Sequence, residues 1–432
     1  MKKVLIISPH FAPINAPDMQ RVRLALPYLR MCGWEPVVLA VDPEHVEGGV
    51  SDPLLERTYP ADIRVVRVRG ISPRHTRWAR VGSLWLRCGR ALRKAGEQLL
   101  RTEKFDLVFF STTQFGSFTL GPRWKREFGV PYVLDYQDPW VNDHYDRTGE
   151  PPPGGALKYA VSQWSARRHE PRVVSEAAAI LAVSPAYGRD LGERHPGFKA
   201  ARFHTVPFGA AEQDMALARN QRPPQPLVPS GDGCIHHVYT GRGGADLAPA
   251  LTLLFRAFKA FRAVQPDQAA RMRFHFIGTS YAPPPLGIET IMPVARAEGV
   301  EKFVSEHCRR VPYFEALHYL AIADAVMAIG SNDPGYSASK IFPCILARRP
   351  LLALFHRDSP VHDLLHSVGL PSQRFEDGNH ASSTIEQLTR AWFGNISTDD
   401  VATVSPEKFA PFSAESMTRS MSAIFDQAIA AR

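Results

Sequence analysis

KKVLIISPHFAPINAPDMQRVRLALPYLRMCGWEPVVLAV, residues 2–41, sets the reading of the whole chain. Residues 2–8 are a short apolar run of strand length, and a loop carrying Pro, Asn and Asp follows them. Val22, Ala25, Leu26 and Leu29 then keep helical spacing, with Asp18 placed to cap the helix start and Gly33 to stop its end, before a second apolar run over 35–41. Strand, loop, helix and strand in that order form a βαβ unit, and such a crossover joins parallel strands.

The unit recurs. DIRVVRV (62–68), FDLVFFS (105–111), VPYVLDY (130–136) and AAILAVS (178–184) read as strands, the last three almost continuously apolar, with helical stretches such as GPRWKREFG (121–129) between them. Strands apolar on both faces belong in a parallel sheet covered on both sides. A Pro-rich stretch without periodicity, RPPQPLVPSGDG (222–233), interrupts the series, and a second one starts at CIHHVYTGRGG (234–244). It continues through MRFHFIG (272–278), ADAVMAIG (323–330) and PLLALF (350–355), and FSAESMTRSMSAIFDQAIAAR (412–432) reads as an amphipathic terminal helix. The expected class is α/β with two Rossmann-like domains: 1–221, a linker at 222–233, 234–405, and a terminal helix within 406–432.

Composition narrows the class. At 432 residues and 44% apolar, the chain can fill two cores. Its five cysteines lie far apart with no C-x-x-C spacing, which speaks against a zinc site or a disulfide framework. With no charged-then-apolar leader and no apolar run of about 20 residues, a cytoplasmic protein is expected.

The net charge of +8 is concentrated: residues 64–126 carry fifteen Lys or Arg against three acids, Glu97, Glu103 and Asp106. Within that segment Trp78, Val81, Trp85, Cys88, Leu92, Ala95 and Leu99 recur in steps of three and four. Arg77, Arg80, Arg87, Arg90, Arg93 and Lys94 supply the sides of that helix. Two readings stand: a basic face for an anionic membrane, and a helix packing its stripe on the sheet. No nucleic-acid-binding motif accompanies the charge, and none is expected as a partner.

Two segments carry candidate chemistry. HHVYTG running into RGGADLAPALTLLFRAF is a strand-to-helix turn in which Gly241, Gly243 and Gly244 let the backbone approach a ligand closely. Arg242 and the helix start favour an anion there, and the alternative is a purely structural turn. GSNDPGYSASKIFPCILARRPLLALF (330–355) places Lys340 in the first turn of a helix that Ser337 or Ser339 can cap. A cation opposes the helix dipole at that position, which makes sense with an anion bound and otherwise marks an ordinary exposed lysine. In the first half, DYQDPW puts Asp135 and Asp138 at the carboxyl end of a strand, where open sheets hold ligands; Asp135 reads better as a helix cap. His10 lies in the first loop. His236 and His237 point to opposite faces of one strand and read as structural.

YTGRGG and SASKIFPCILARRPLLA resemble, in order and separation, the signature segments of GT-B glycosyltransferases, in particular the retaining family 4. The opening βαβ unit and VPYVLDYQDPW are also similar to that family, so the resemblance runs from Lys2 to about Phe355. The terminal helix resembles the one that crosses back onto the N-terminal domain.

The resemblance implies two Rossmann-like domains facing a central cleft. It further implies transfer of a sugar from a nucleotide-diphosphate sugar to an acceptor hydroxyl with retention, with Arg242 and Lys340 neutralising the departing diphosphate. Donor contacts would come from Gly241, Arg242, Gly243, Val311, Tyr336, Ser337, Ser339 and Lys340, and the nucleotide base would lie near residues 310–313. On the acceptor side stand His10, Asp18, Gln137 and Trp140, with Asp138 as a catalytic acid. Gln137 replaces the histidine of many relatives, and Pro343 and Gly335 replace the usual acids, of which the one at Pro343 would bind the ribose. Asn15-Ala16-Pro17-Asp18 stands in the first loop in place of Gly-Gly. No D-x-D pattern occurs, so no metal or further cofactor is expected beyond the nucleotide-sugar co-substrate. The implied setting is polysaccharide or glycolipid assembly with a saccharide or lipid-linked acceptor at the inner face of the membrane. The same fold also admits a nucleotide-sugar epimerase, or a non-catalytic binding or scaffold protein.

Overall fold

Two parallel sheets account for most of the apolar runs. The computed structural model describes residues 1–76, 83–142, 152, 155–280, 287–333, 340–376, 378, 381–394 and 403–430. Arg77, Trp78, Arg80, Val81, Gly335, Tyr336, Ser337 and Ser339 lie outside the described residues. Two compact units divide the chain: Met1–Gly209 with Ala414–Arg432, and Ala210–Ser413.

In the first unit the strands are β1 (Lys2–Ile7), β3 (Trp34–Val41), β5 (Arg64–Val68), β6 (Leu107–Ser111), β7 (Tyr132–Tyr136), β8 (Ala179–Ala182) and β9 (Phe203–Thr205). They form one sheet in the order β5-β3-β1-β6-β7-β8-β9, with every neighbouring pair parallel. A separate antiparallel pair, β2 (Ile14–Asn15) with β4 (Val50–Ser51), closes the first loop. β1, β6 and β7 are buried almost throughout, which is why their sequences are apolar rather than alternating. Gly33 takes φ 82°, a left-handed turn that suits glycine, between the helix Gln20–Leu29 and β3.

The terminal helix Ala414–Ala430 belongs to this unit. It buries Met417, Met421, Ile424 and Phe425, and the Phe425 ring meets Trp34 edge-on at 5.5 Å. Asp426 accepts from the Trp34 indole N–H at 2.9 Å and pairs with Lys2, so this helix is fastened to β1 and β3.

The helix Leu84–Thr102 resolves the question raised by its stripe. Leu84, Cys88, Leu92 and Leu99 are buried in the core, and a side-chain carbon at Gly89 or Gly116 would run into the Trp85 ring. Arg87, read from sequence as part of the charged surface, is buried and donates to the carbonyls of His45 and Ile71. Much of the cationic excess is also neutralised locally: Arg64 pairs with Glu103, Arg67 with Glu56, Arg69 with Asp42, and Arg101 and Arg123 with Glu97 and Glu127. From Leu84 onward the stripe is core packing.

Asp135 does not cap a helix. It is fully buried at the end of β7, where one carboxylate oxygen receives Arg21 Nε at 2.8 Å, Ser111 Oγ at 2.7 Å and Gln137 Nε2 at 2.8 Å. Arg21 is equally buried, donates to the carbonyls of Val206 and Pro207, and lies over the Phe208 ring.

The second unit holds β10 (Ile235–Thr240), β11 (Met272–Ile277), β12 (Val304–His307), β13 (Ala325–Ile329), β14 (Leu351–His356) and β15 (Gln373–Phe375). Their order is β12-β11-β10-β13-β14-β15, again all parallel. The helix Ala248–Val264 supplies Leu251, Leu254, Phe255 and Phe258 to the core. Residues 210–221, placed with the first domain by the sequence, join this unit instead. Their helix, Glu212–Arg219, packs on the helix Tyr313–Ile322, and Tyr313 donates to Asp214 at 2.8 Å. His237 is enclosed between Phe274 and Trp392, and loss of hydration pushes its pKa down to about 4; His236 is bonded to His275 and Asp232. Both are structural, as their alternation along the strand predicts.

Breaking a buried pair strands the surviving charge. Asp135→Ala is therefore expected to destabilise the first unit by about 3–5 kcal/mol. The Arg21→Met, Asp135→Ala double variant should lose less than Asp135→Ala alone, and urea unfolding of the three proteins decides it.

Candidate functional site

A parallel sheet wound in both directions has one place where its strand order reverses. Chains leave the two central strands towards opposite faces there, and a crevice opens at their carboxyl ends. In the second unit this place lies between β10 and β13. Arg242 follows β10, and Lys340 opens the helix Ile341–Leu346 that comes after β13.

Gly241 turns the chain out of β10 with φ 145°, and a side-chain carbon there would run into the Lys340 ammonium. The ammonium lies 5.7 Å from the centre of the Tyr239 ring, and Tyr239 donates to the Arg242 carbonyl at 2.7 Å. Lost hydration, and then the neighbouring charge of Arg242, push the Lys340 pKa down to about 8. Arg242 directs two guanidinium nitrogens at Asp246, one turn ahead, which holds the fork in place. Gly243 N–H is bonded to the Thr279 carbonyl at 2.8 Å, so that backbone group is already committed within the turn. Glu306 receives Thr279 Oγ1 and the N–H groups of Thr290, Ile291 and Met292, tying the loop beyond β11 to β12. Val311 precedes the helix Tyr313–Ile322 and is half-buried. Pro343 lies within the helix that Lys340 opens.

In the first unit the reversal lies between β1 and β6. His10, in the loop after β1, sets Nδ1 at 2.9 and 3.0 Å from the two carboxylate oxygens of Asp18. Thr112 Oγ1, Thr113 N and Thr113 Oγ1, from the loop after β6, complete the shell of Asp18 at 2.8, 3.1 and 3.2 Å. Burial alone would raise the Asp18 pKa, but the His10 hydrogen bond, its charge and the threonine donors outweigh it and hold the carboxyl below its ordinary value. Asp18 is thus the centre of a hydrogen-bond cluster; it makes no capping bond to the helix Gln20–Leu29.

Asp138, after β7, is the open acid of this place. Its residue surface is exposed, yet protein crowding around the carboxyl, and secondarily the charge of Asp18, push its pKa up to about 6. The other two acceptor-side candidates do not face outward. Gln137 is buried and donates to Asp18 O, Ser111 and Asp135, while Trp140 stacks on Phe115 at 5.9 Å in the core. Sequence reasoning missed Thr112, Thr113 and Asp246. The pair of threonines directly follows an apolar strand, and Asp246 stands four residues after Arg242, so both signals were present.

Among the described residues, no group of three or more His, Cys, Asp or Glu could hold a metal ion, and no helix is long and apolar enough to cross a membrane.

Residues 20–209 match the family model described as a glycosyl transferase 4-like domain. No curated protein matches the chain. Solved structures do match over nearly their whole length. The UDP-forming α,α-trehalose-phosphate synthase of Burkholderia vietnamiensis is similar at a TM-score of 0.61 and 14% identity, covering 100% of both chains. HepE of Anabaena, solved with UDP and glucose, gives 0.58 at 14% identity over 98% of this chain and 99% of that one. A glycosyltransferase of Rickettsia africae gives 0.59 at 12% identity over 99% and 98%. The chain has the GT-B fold, as its sequence resemblance implied, and its residues 20–209 are similar to the glycosyl transferase 4-like domain.

Replacing Asp18 by Asn removes one of the two causes that raise Asp138. In Asp18→Asn the Asp138 carboxyl should titrate below about 6 and still above the ordinary carboxylate value, because the crowding remains. Carboxyl-carbon NMR titration of both proteins reads the shift.

Proposed function

We propose that this chain is a metal-independent hexosyltransferase that moves a sugar from a nucleotide-diphosphate sugar to an acceptor hydroxyl with retention, in polysaccharide or glycolipid assembly. In this reaction the bond from the anomeric carbon to the diphosphate oxygen breaks, and the acceptor oxygen bonds the same carbon. The acceptor proton passes to the departing diphosphate. Charge therefore develops on the diphosphate, and cations waiting there with little water around them stabilise it most.

The observation that carries this reading is Lys340, a dehydrated ammonium beside Arg242 at the reversal of the second sheet. An unliganded site gains nothing from bringing two cations together; a diphosphate compensates both. Arg242 reaches the ligand by exchanging Asp246 for phosphate oxygens. Asp138 serves the acceptor or the positive charge that builds on the sugar. Pro343 offers no acceptor for ribose hydroxyls, so the nucleoside is held by other groups, and the donor nucleotide is to be found by trial.

Calorimetry with UDP, GDP and ADP tests the donor site. One of them should bind, Lys340→Met should weaken it at least about tenfold, and turnover should fall about 100-fold or more. Absence of binding by all three would contradict the reading, and donor conversion without any acceptor would make the protein an epimerase. Because the anion favours the charged lysine, affinity should be full below pH 8 and decline as pH rises through it.

A further inference from the structure

The helix Ala156–Glu176 is apolar on two opposite sides. One side, with Ala166, Val173 and Val174, is buried in the first unit's core. On the other side Leu157, Val161 and Trp164 are 81%, 57% and 69% exposed. Steps of four and three residues put these three in one stripe, and at 100° per residue that stripe lies opposite the buried side. Packing within the unit does not explain them. Large exposed hydrophobics scattered singly are ordinary, but three aligned along two turns form a patch.

The exposed charges of this helix between residues 156 and 172 are of one sign. Arg168 continues the stripe, and Lys158 lies on its flank. From residue 156 to residue 172 the only acid is Glu170, and it is buried, bonded to His195 and Tyr136. A tryptophan and aliphatic ridge edged by cations of its own helix, with no exposed carboxylate between residues 156 and 172, matches the layering of a bilayer surface. The ridge enters the boundary between headgroups and acyl chains, and the cations remain at the level of anionic headgroups.

We propose that Leu157, Val161 and Trp164 are the contact by which this protein docks on an anionic lipid surface. The helix Leu84–Thr102, whose composition first suggests that role, has its stripe in the core and is not that contact. The docking is independent of the proposed transfer reaction, since it uses neither candidate site.

Co-sedimentation with vesicles of phosphatidylcholine alone, and with about one third phosphatidylglycerol, tests it at low salt without any nucleotide or acceptor. The wild-type chain should bind the anionic vesicles and leave the neutral ones largely unbound. Leu157→Ser, Val161→Ser, Trp164→Ser combined should lower the bound-to-free ratio at least about tenfold with an unchanged melting temperature, because all three side chains are exposed. Arg90→Ser with Lys94→Ser, on the other helix, should bind within about twofold of wild type. The proposal is overturned if the wild type ignores anionic vesicles, if the triple variant binds as the wild type does, or if the triple variant abolishes self-association of the chain and leaves vesicle binding intact.

Discussion

A parallel sheet that is covered on both faces must change its direction of winding once, and this constraint decides where everything of interest lies. At the change, two neighbouring strands send their chains to opposite faces, so their carboxyl ends are free of a crossing connection. In the first unit those ends belong to β1 and β6, and they present His10, Thr112 and Thr113 around Asp18. In the second they belong to β10 and β13, and they present Arg242 and Lys340.

The two places also share an electrostatic character that the cores lack. Inside the first unit, Arg21 and Asp135 pair with one another and lean on carbonyls and a hydroxyl, so each buried charge has an opposite charge beside it. Lys340 and Asp138 are instead held where their charged forms are disfavoured, one pushed down to about 8 and the other up to about 6. The sign of each follows from linkage. Between about pH 8 and the ordinary lysine value the unfolded chain holds the Lys340 proton and the folded chain does not, so this group favours folding more as pH rises across that window. For Asp138 the folded chain holds the proton to higher pH, so its contribution grows as pH falls below about 6. Near neutrality both are costs to the empty protein, and groups of this kind mark sites where a ligand supplies the missing partner.

Most of the fold was readable in the sequence because strands buried on both faces must be apolar throughout. The runs at 2–8, 105–111, 130–136, 234–240 and 350–355 all became central strands. The position of Arg242 and Lys340 beside the central strands of the second sheet was readable for a related reason: glycines and a cation at a strand-to-helix turn restrict what the turn can serve. The misreadings have a common cause. Asp18, Asp135 and Arg87 are polar residues whose partners lie far away in sequence, at separations of up to 114 residues, so local spacing suggested caps and a solvated face. The stripe of Leu84–Thr102 shows the limit of periodicity itself, because an amphipathic pattern specifies that one face is apolar and leaves open whether protein or lipid covers it. Leu157, Val161 and Trp164 escaped notice because the same helix is apolar on its buried side as well, which blurs the pattern.

The account turns on the ammonium of Lys340. The most direct measurement is its titration, followed by NMR of isotopically labelled lysine side chains and assigned with Lys340→Met, with and without saturating nucleoside diphosphate. The account predicts a midpoint near 8 in the free protein that moves upward when the diphosphate binds. A midpoint at the ordinary lysine value, or one that the bound nucleotide leaves in place, would contradict it.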